Sequence, residues 1–369
     1  MTTVATAAEV ACDRLAEGRR VVAATLVERI GSAPFDPGAE MMIDDAGRVE
    51  GTVTGGCVES ALAAEAEDVL AGGAPRLVRY GVSDEQAFEV GLMCGGTVSV
   101  FVHELRREHL PALRAATAAR AAGEPVALAT LMSGERAGAK LAVTRAGAVG
   151  SLGTGLLDHN VEREARGLVD EGISRIRAYG SGGEVMGGEI EVYVQAFETA
   201  PAMVVYGAID YSVALARLAA EVGYRVTICD ARPAFAEGRR FADVAEVVVD
   251  WPDRDLARRE LGPRDAVLVF THDPKFDEPA LIAALRSGAG YVGALGSRRT
   301  QAMRIERLRA AGVRDDALGR LHAPCGLDLG ARTPEETAVS ILAEIVASRT
   351  GRGGEPLART DGPIHPGGP

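Results

Sequence analysis

From residue 202 onward, short unbroken apolar runs alternate with helical stretches, and few architectures accept that rhythm. The runs are Ala202–Tyr206, Arg225–Cys229, Glu246–Val249, Ala266–Phe270 and Gly290–Gly293. Helical patterns fall between them at Val213–Glu221, Pro279–Arg286 and Thr300–Ala311. Strands without polar alternation are buried on both faces, which points to a parallel sheet covered by helices on each side. A last helix is announced by Thr333 as cap, Pro334 at the first position and Glu336 closing a capping box, and it is expected to reach about Ser348.

The first half reads differently. It is rich in glycine, has alternating segments such as Val21–Val27 and Thr97–Val102, and lacks a clean βαβ order. It also repeats itself. Gly38-Ala39, Ala46-Gly47, Val49 and Thr54-Gly55 return as Gly138-Ala139, Ala146-Gly147, Val149 and Thr154-Gly155, and Gly95–Val102 is echoed by Gly187–Val194. Two copies of one α/β unit are the natural reading. By that alignment Cys57 corresponds to Leu157 and Cys94 to Met186, so thiol chemistry is expected in the first copy and scaffold in the second. The expected fold class is α/β: an N-terminal duplicated α/β region followed by a Rossmann-like parallel sheet domain. The expected boundaries are 1–105 for the first copy, 106–198 for the second, 199–349 for the parallel domain and 350–369 for a disordered Gly/Pro tail.

Composition narrows the function. A formal charge of −12 opposes a nucleic-acid partner. No apolar run approaches the roughly 18 residues of a membrane span, and residues 1–20 read as a short amphipathic helix rather than a signal peptide. The expected compartment is the cytoplasm, without a membrane partner. Five cysteines without C-x-x-C spacing oppose a disulfide framework or a zinc ribbon. Cys12 and Cys229 read as core residues and Cys325 as packing.

The sharpest segment is Gly51-Thr-Val-Thr-Gly-Gly-Cys-Val-Glu59, where Gly55, Gly56, Cys57 and Glu59 precede or open a helical run from Ser60 to Leu70. A thiol there would gain from unpaired helix amides and the helix dipole, as would a bound anion. Met93-Cys94-Gly95-Gly96 offers a second thiol beside two glycines.

These segments, with Ile30–Pro34, Pro37–Ala39, Glu89–Gly96, Gly293–Arg299 and Gly326–Glu336, resemble the XdhC/CoxI family over about residues 20 to 346. Members of that family resemble accessory factors for molybdenum hydroxylases of the xanthine-dehydrogenase and carbon-monoxide-dehydrogenase type. The resemblance implies a chaperone that binds molybdenum cofactor (molybdopterin), supports its sulfuration and inserts it into an apo molybdenum hydroxylase. A sulfurtransferase is an implied second partner, and a homodimer the implied assembly. The family's two motif cysteines map onto Cys57 and Cys94, and thiolates are soft ligands suited to a metal–sulfur centre.

In the parallel domain, Gly207-Ala-Ile-Asp210 occupies the place of a dinucleotide-binding turn. Ile209 replaces the second glycine, Ser212 the third, and Asp210 brings negative charge toward the expected phosphate. All three count against NAD(P). Asp230 ends the second strand where an acid contacts a ribose, and Arg232 beside it suits a 2′-phosphate, or both are turn residues. Thr271-His272 and Gly296-Ser297-Arg298-Arg299 follow later strands, at the edge where ligands bind. His272 is the candidate proton carrier, and Arg298 and Arg299 hold an anion or simply start a solvated helix. An NAD(P)-dependent oxidoreductase acting on a small metabolite is the alternative function, with Cys57, Cys94 and His272 as candidate catalytic residues. A silent interaction protein is a third.

Overall fold

The computed structural model describes residues 6–31, 33–81, 96–237, 239–241 and 243–361. Cys94 and Gly95 lie outside the described residues. Contacts divide the chain into two compact units that meet in sequence at Thr199 and Ala200.

The N-terminal unit holds the repeat. Its first copy runs α1 (Ala7–Ala16), β1 (Val21–Ile30), β2 (Glu40–Asp44), β3 (Val49–Gly51), α2 (Glu59–Leu70), β4 (Arg76–Tyr80) and β5 (Thr97–Leu105). The second runs α3 (Leu110–Ala121), β6 (Val126–Leu131), β7 (Lys140–Thr144), β8 (Gly147–Gly150), α4 (Gly155–Glu171), β9 (Arg175–Tyr179) and β10 (Ile190–Phe197). The two sheets have the same strand order, β3-β2-β1-β5-β4 and β8-β7-β6-β10-β9, with antiparallel pairing throughout.

The central strands lack alternation because both of their faces are covered. Val22, Ala24 and Leu26 of β1 pack under α2 with Leu62 and Ala66. Val21 and Ala23 point the other way, into a layer where α1 and α3 pack together with Leu15, Leu113 and Leu128. Truncating a fully buried leucine such as Leu26 or Leu62 to alanine costs about 2–5 kcal/mol.

The repeat alignment shifts by one residue in the hairpins. Glu40 matches Lys140, but β3 pairs Gly51 with Met41 while β8 pairs Gly150 with Leu141. β2 and β7 therefore stand one hundred residues apart, and β3 and β8 stand 99 apart. A side chain on Gly51 would run into the Glu40 carbonyl, and one on Gly150 into the Lys140 carbonyl. Both glycines also have positive φ, at 79° and 101°.

The C-terminal unit contains β11 (Ala202–Tyr206), α5 (Asp210–Glu221), β12 (Arg225–Cys229), α6 (Pro233–Ala236), β13 (Glu246–Val248), α7 (Pro252–Leu256) and β14 (Ala266–Val269). It continues through α8 (Pro274–Arg286), β15 (Tyr291–Ala294), α9 (Arg298–Ala310), α10 (Asp315–Leu318), β16 (Leu321–His322) and α11 (Pro334–Thr350). The sheet order is β13-β12-β11-β14-β15-β16, all parallel. This is the doubly wound Rossmann arrangement, which reverses direction between β11 and β14. Met203 and Val205 face α5 and α11, whereas Val204 and Tyr206 face the α8 side. The capping box on α11 forms as expected, with Thr333 and Glu336 each bonding the other's backbone amide. After α11 the chain is exposed to residue 361, with one 3-10 turn at Leu357–Arg359. Among the described residues, no helix is long and apolar enough to cross a membrane.

Candidate functional site

Two regions carry the candidate residues, one in each unit. In the N-terminal unit, Cys57 sits on the loop between β3 and α2. The helix does not open at the thiol. Val58 is its cap and Glu59 its first residue, so Cys57 precedes the cap. In the second copy the equivalent helix α4 begins at Gly155, the counterpart of Gly56. The first copy has thus unwound a turn that the second keeps, and the thiol lies on the unwound stretch. With the one-residue shift, Cys57 corresponds to exposed Leu156, and buried Leu157 corresponds to buried Val58. The Leu157 assignment is corrected on this ground: the extra residue sits in the β2–β3 turn, where matching identities could not register it.

Glu59 organises the loop. Its carboxylate accepts from the amides of Val53 (3.0 Å), Thr54 (2.8 Å), Gly55 (3.1 Å), Gly56 (2.8 Å) and Val58 (3.1 Å). It also accepts from the hydroxyls of Thr52 (2.5 Å) and Thr54 (2.9 Å). Burial pushes this carboxyl up, and the hydrogen bonds from Thr52, Thr54 and Val53 outweigh it, leaving a pKa of about 2. Amides that the sequence offered to a phosphate are therefore occupied by the protein's own carboxylate. Asp158 plays the same part in the second copy with a shorter reach, bonding Ser151 and Leu152 at 2.7 Å.

Of the four described cysteines, Cys57 is half-exposed and the other three are buried. Burial pushes the Cys12 thiol up to about 11, and those of Cys229 and Cys325 to about 12. None of these three is a ready thiolate. No group of three or more metal-ligating side chains occurs among the described residues.

In the C-terminal unit, Gly207 turns tightly after β11 with φ 117°, and a side chain there would press on the backbone of Phe270 and Thr271. Asp230 does not face outward to a ribose. It is 3% exposed and accepts from the Ala208 amide (2.9 Å) and from Arg232 through Nε (2.9 Å) and a terminal nitrogen (2.8 Å). Burial pushes Asp230 up, but these bonds hold it below the usual carboxylate range. Asp210 is compensated by Arg240, 30 residues downstream, which bonds its carboxylate at 3.0 Å and the Ala208 carbonyl at 2.9 Å. No local signal in the sequence marks Arg240 for this role.

Two clefts open at the carboxyl edge of the sheet. One, of about 400 Å³, is lined by Ile209, Arg232, Phe235, Phe270, Thr271, His272, Asp273 and Phe276. The other, of about 600 Å³, is lined by Tyr211, His272, Leu295, Gly296, Ser297, Thr300 and Thr337. His272 belongs to both, so the structure brings together Thr271, His272, Gly296 and Ser297. The aromatic walls Phe235 and Phe276 were missed in sequence because lone phenylalanines in helices read as core. Ser297 caps α9 by accepting the Thr300 amide at 3.1 Å, and exposed Arg298 stands 3.6 Å from Asp328.

Residues 203–345 match the XdhC Rossmann domain, and residues 14–81 and 119–180, one stretch in each copy, match the XdhC and CoxI family. The chain is 28% identical over 339 residues to the molybdenum cofactor insertion chaperone PaoD of Escherichia coli, covering 92% of this chain and 86% of that protein. It is 26% identical over 337 residues to a Bacillus subtilis protein described as a probable xanthine dehydrogenase subunit, covering 91% and 95%. A crystal structure from Bacillus halodurans, described as a xanthine dehydrogenase, superposes with a TM-score of 0.69 at 26% identity, over 96% of this chain and 98% of that one. Family matches in both copies and in the parallel sheet, and relatives aligned over nine-tenths of the chain, agree: the chain belongs to the XdhC and CoxI family.

Proposed function

We propose that this protein is an accessory chaperone that binds molybdenum cofactor and inserts it into an apo molybdenum hydroxylase of the xanthine-dehydrogenase type. The observation that carries the reading is alignment over 92% of the chain with a protein named as a molybdenum cofactor insertion chaperone. The thiol loop supports it. Cys57 is the one described cysteine with access to solvent, and a soft thiolate suits the metal–sulfur end of the cargo. The loop around it is held open by Glu59, so the thiol is presented without rearrangement. Loop amides satisfied by Glu59 leave the cargo's phosphate to be held elsewhere. Support of sulfuration, a sulfurtransferase partner and a homodimer belong to the same proposal.

The test is anaerobic titration of the purified protein with molybdenum cofactor, comparing wild type with Cys57→Ala and Cys94→Ala. Stoichiometric binding lost in either variant is the expected result. Binding indifferent to both thiols overturns the thiol site, and no binding overturns the carrier role.

The parallel strand order favours a second reading, an NAD(P)-dependent oxidoreductase. Ile209 and the internally bonded Asp230 oppose it. Saturable NADH or NADPH binding with turnover of a metabolite would favour it over the chaperone.

A further inference from the structure

The two copies of the N-terminal unit pack against each other, and the strand registers show which rows meet. In the first copy Glu40, Thr25 and Phe101 stand side by side across β2, β1 and β5. In the second, Lys140, Thr130 and Tyr193 form the same row across β7, β6 and β10. The next row reads Met42, Ala23 and His103 in the first copy and Ala142, Leu128 and Gln195 in the second. These rows line the boundary. A side chain on Gly138 would strike the His103 ring, and Gln195 bonds the Gly38 carbonyl at 2.8 Å. Phe101 and Tyr193 share one cluster with Val27 and Met132.

Much of this boundary would accept a copy of its own kind. Thr25 matches Thr130, Gly38 matches Gly138, and Phe101 differs from Tyr193 by one hydroxyl. Size and charge break the symmetry. Met42 and Leu128 are large where Ala142 and Ala23 are small, and all four pack in one cluster. Glu40 stands where the second copy has Lys140. Lys140 is 4% exposed and donates to the Thr130 hydroxyl at 2.9 Å. Burial pushes the Glu40 carboxyl up and the Lys140 ammonium down to about 8, and the charge of each is the first to oppose the burial of the other. Arg120, also of the second copy, adds to the positive charge felt by Glu40. Desolvation cancels much of what a buried charge pair gains over apolar residues of similar size, so its effect is felt in the pairings it excludes.

We propose that Glu40 and Lys140 set the pairing rule of the repeat: a first copy accepts only a second copy, and neither accepts its own kind from another chain. Like pairing would set Glu40 against Glu40, or Lys140 against Lys140, in a layer largely closed to solvent, where like charges are poorly screened. Each paired unit therefore carries one Cys57 loop, together with a copy that has exposed Leu156 at that position.

The test uses the full chain, refolded from urea over a range of concentrations. Native mass spectrometry counts the chains in each assembly, and hydrogen exchange in β1 and β6 follows urea unfolding of the N-terminal unit. Glu40→Lys and Lys140→Glu should each lower the urea midpoint by about 1 M or more, since each sets like charges in the layer. The double reversal, E40K with K140E, should regain most of that loss, because opposite charges meet again. Separate E40K and K140E chains refolded together should give a one-to-one complex that neither gives alone, since each supplies the charge the other lacks. Replacing both charges by apolar residues, E40M with K140M, should leave the midpoint unchanged or higher and add assemblies larger than those of wild type, growing with concentration. Pairing of a first copy with another chain's second copy obeys the rule and is the same in wild type, so the excess reports like pairing alone. The proposal is overturned if the double reversal is no better than the single changes, or if E40M with K140M refolds with the wild-type masses at every concentration. Neither outcome involves a cofactor or a thiol, so the carrier reading stands or falls separately.

Discussion

The Glu59 carboxylate accepts the Gly56 amide at 2.8 Å, so the segment presenting Cys57 is tied down by a residue two positions further along. The same carboxylate closes the loop from Thr52 onward. Its depressed pKa gives the bond set a pH dependence. The folded value of about 2 lies below the ordinary 4.5, so the stabilisation is complete above 4.5 and is lost as pH falls through 2. A shift of that size corresponds to about 3 kcal/mol before screening, and partial exposure reduces it to about 1–2 kcal/mol. Glu59→Gln should lose this much in urea unfolding at pH 7. The gap from wild type should narrow between pH 4.5 and 2. A gap independent of pH would mean that the bonds, and not the charge, hold the loop.

His103 and Gln195 occupy equivalent places in the two copies, opposite Ala23 and Leu128. Gln195 donates to the Gly38 carbonyl at 2.8 Å across the boundary between copies. His103 packs toward Gly138 with both ring nitrogens unpartnered. Burial, and then the charge of Lys140, hold its pKa well below 6.5. The unfolded chain takes up a proton below 6.5 and the folded chain does not, so stability is full above 6.5 and declines as pH falls. His103→Gln should form the counterpart of the Gln195 bond, raise stability by about 1–2 kcal/mol and flatten that decline. Unfolding at pH 7.5 and 5.5 checks both, and an unchanged slope would assign the acid loss to other groups such as His109.

Asp230 joins the first two strands of the parallel sheet through the Ala208 amide and Arg232. Asp230→Ala should cost about 2–3 kcal/mol at neutral pH, since it leaves an amide and a guanidinium without their acceptor. The thermal midpoint measures this. A variant as stable as wild type would show that Asp230 is spare, and would return it to the ligand.

Gly51 should resist change. Alanine there combines positive φ with a clash against the Glu40 carbonyl and close approach to Ala7. The cost should be about 3 kcal/mol. Gly150→Ala should cost a similar amount, because it meets Lys140 and Ala112 in the same way. Unequal losses would show that the copies differ in backbone freedom at this turn.

The parallel sheet was legible because every central strand is buried on both faces and reads as an unbroken apolar run. The repeat was legible in its glycines, which mark turns that other residues cannot make. Its register was not, since the extra residue lies in a surface turn where identities are few and only strand pairing counts positions. The site was legible to the same depth. Cys57, His272 and Ser297 stood out by residue type and by place after a strand or beside glycines. Whether their neighbours were free did not.

Local sequence therefore determined the fold class, the caps and the half-exposed thiol loop, because each depends on residues within a few positions of one another. Tertiary structure decided the use of the charges. It turned Asp230 toward the Ala208 amide, set Arg240 against Asp210, and gathered Phe235, Thr271, His272 and Ser297 along one sheet edge. Hydrogen-bond geometry and burial at these points arise only when segments far apart in sequence meet.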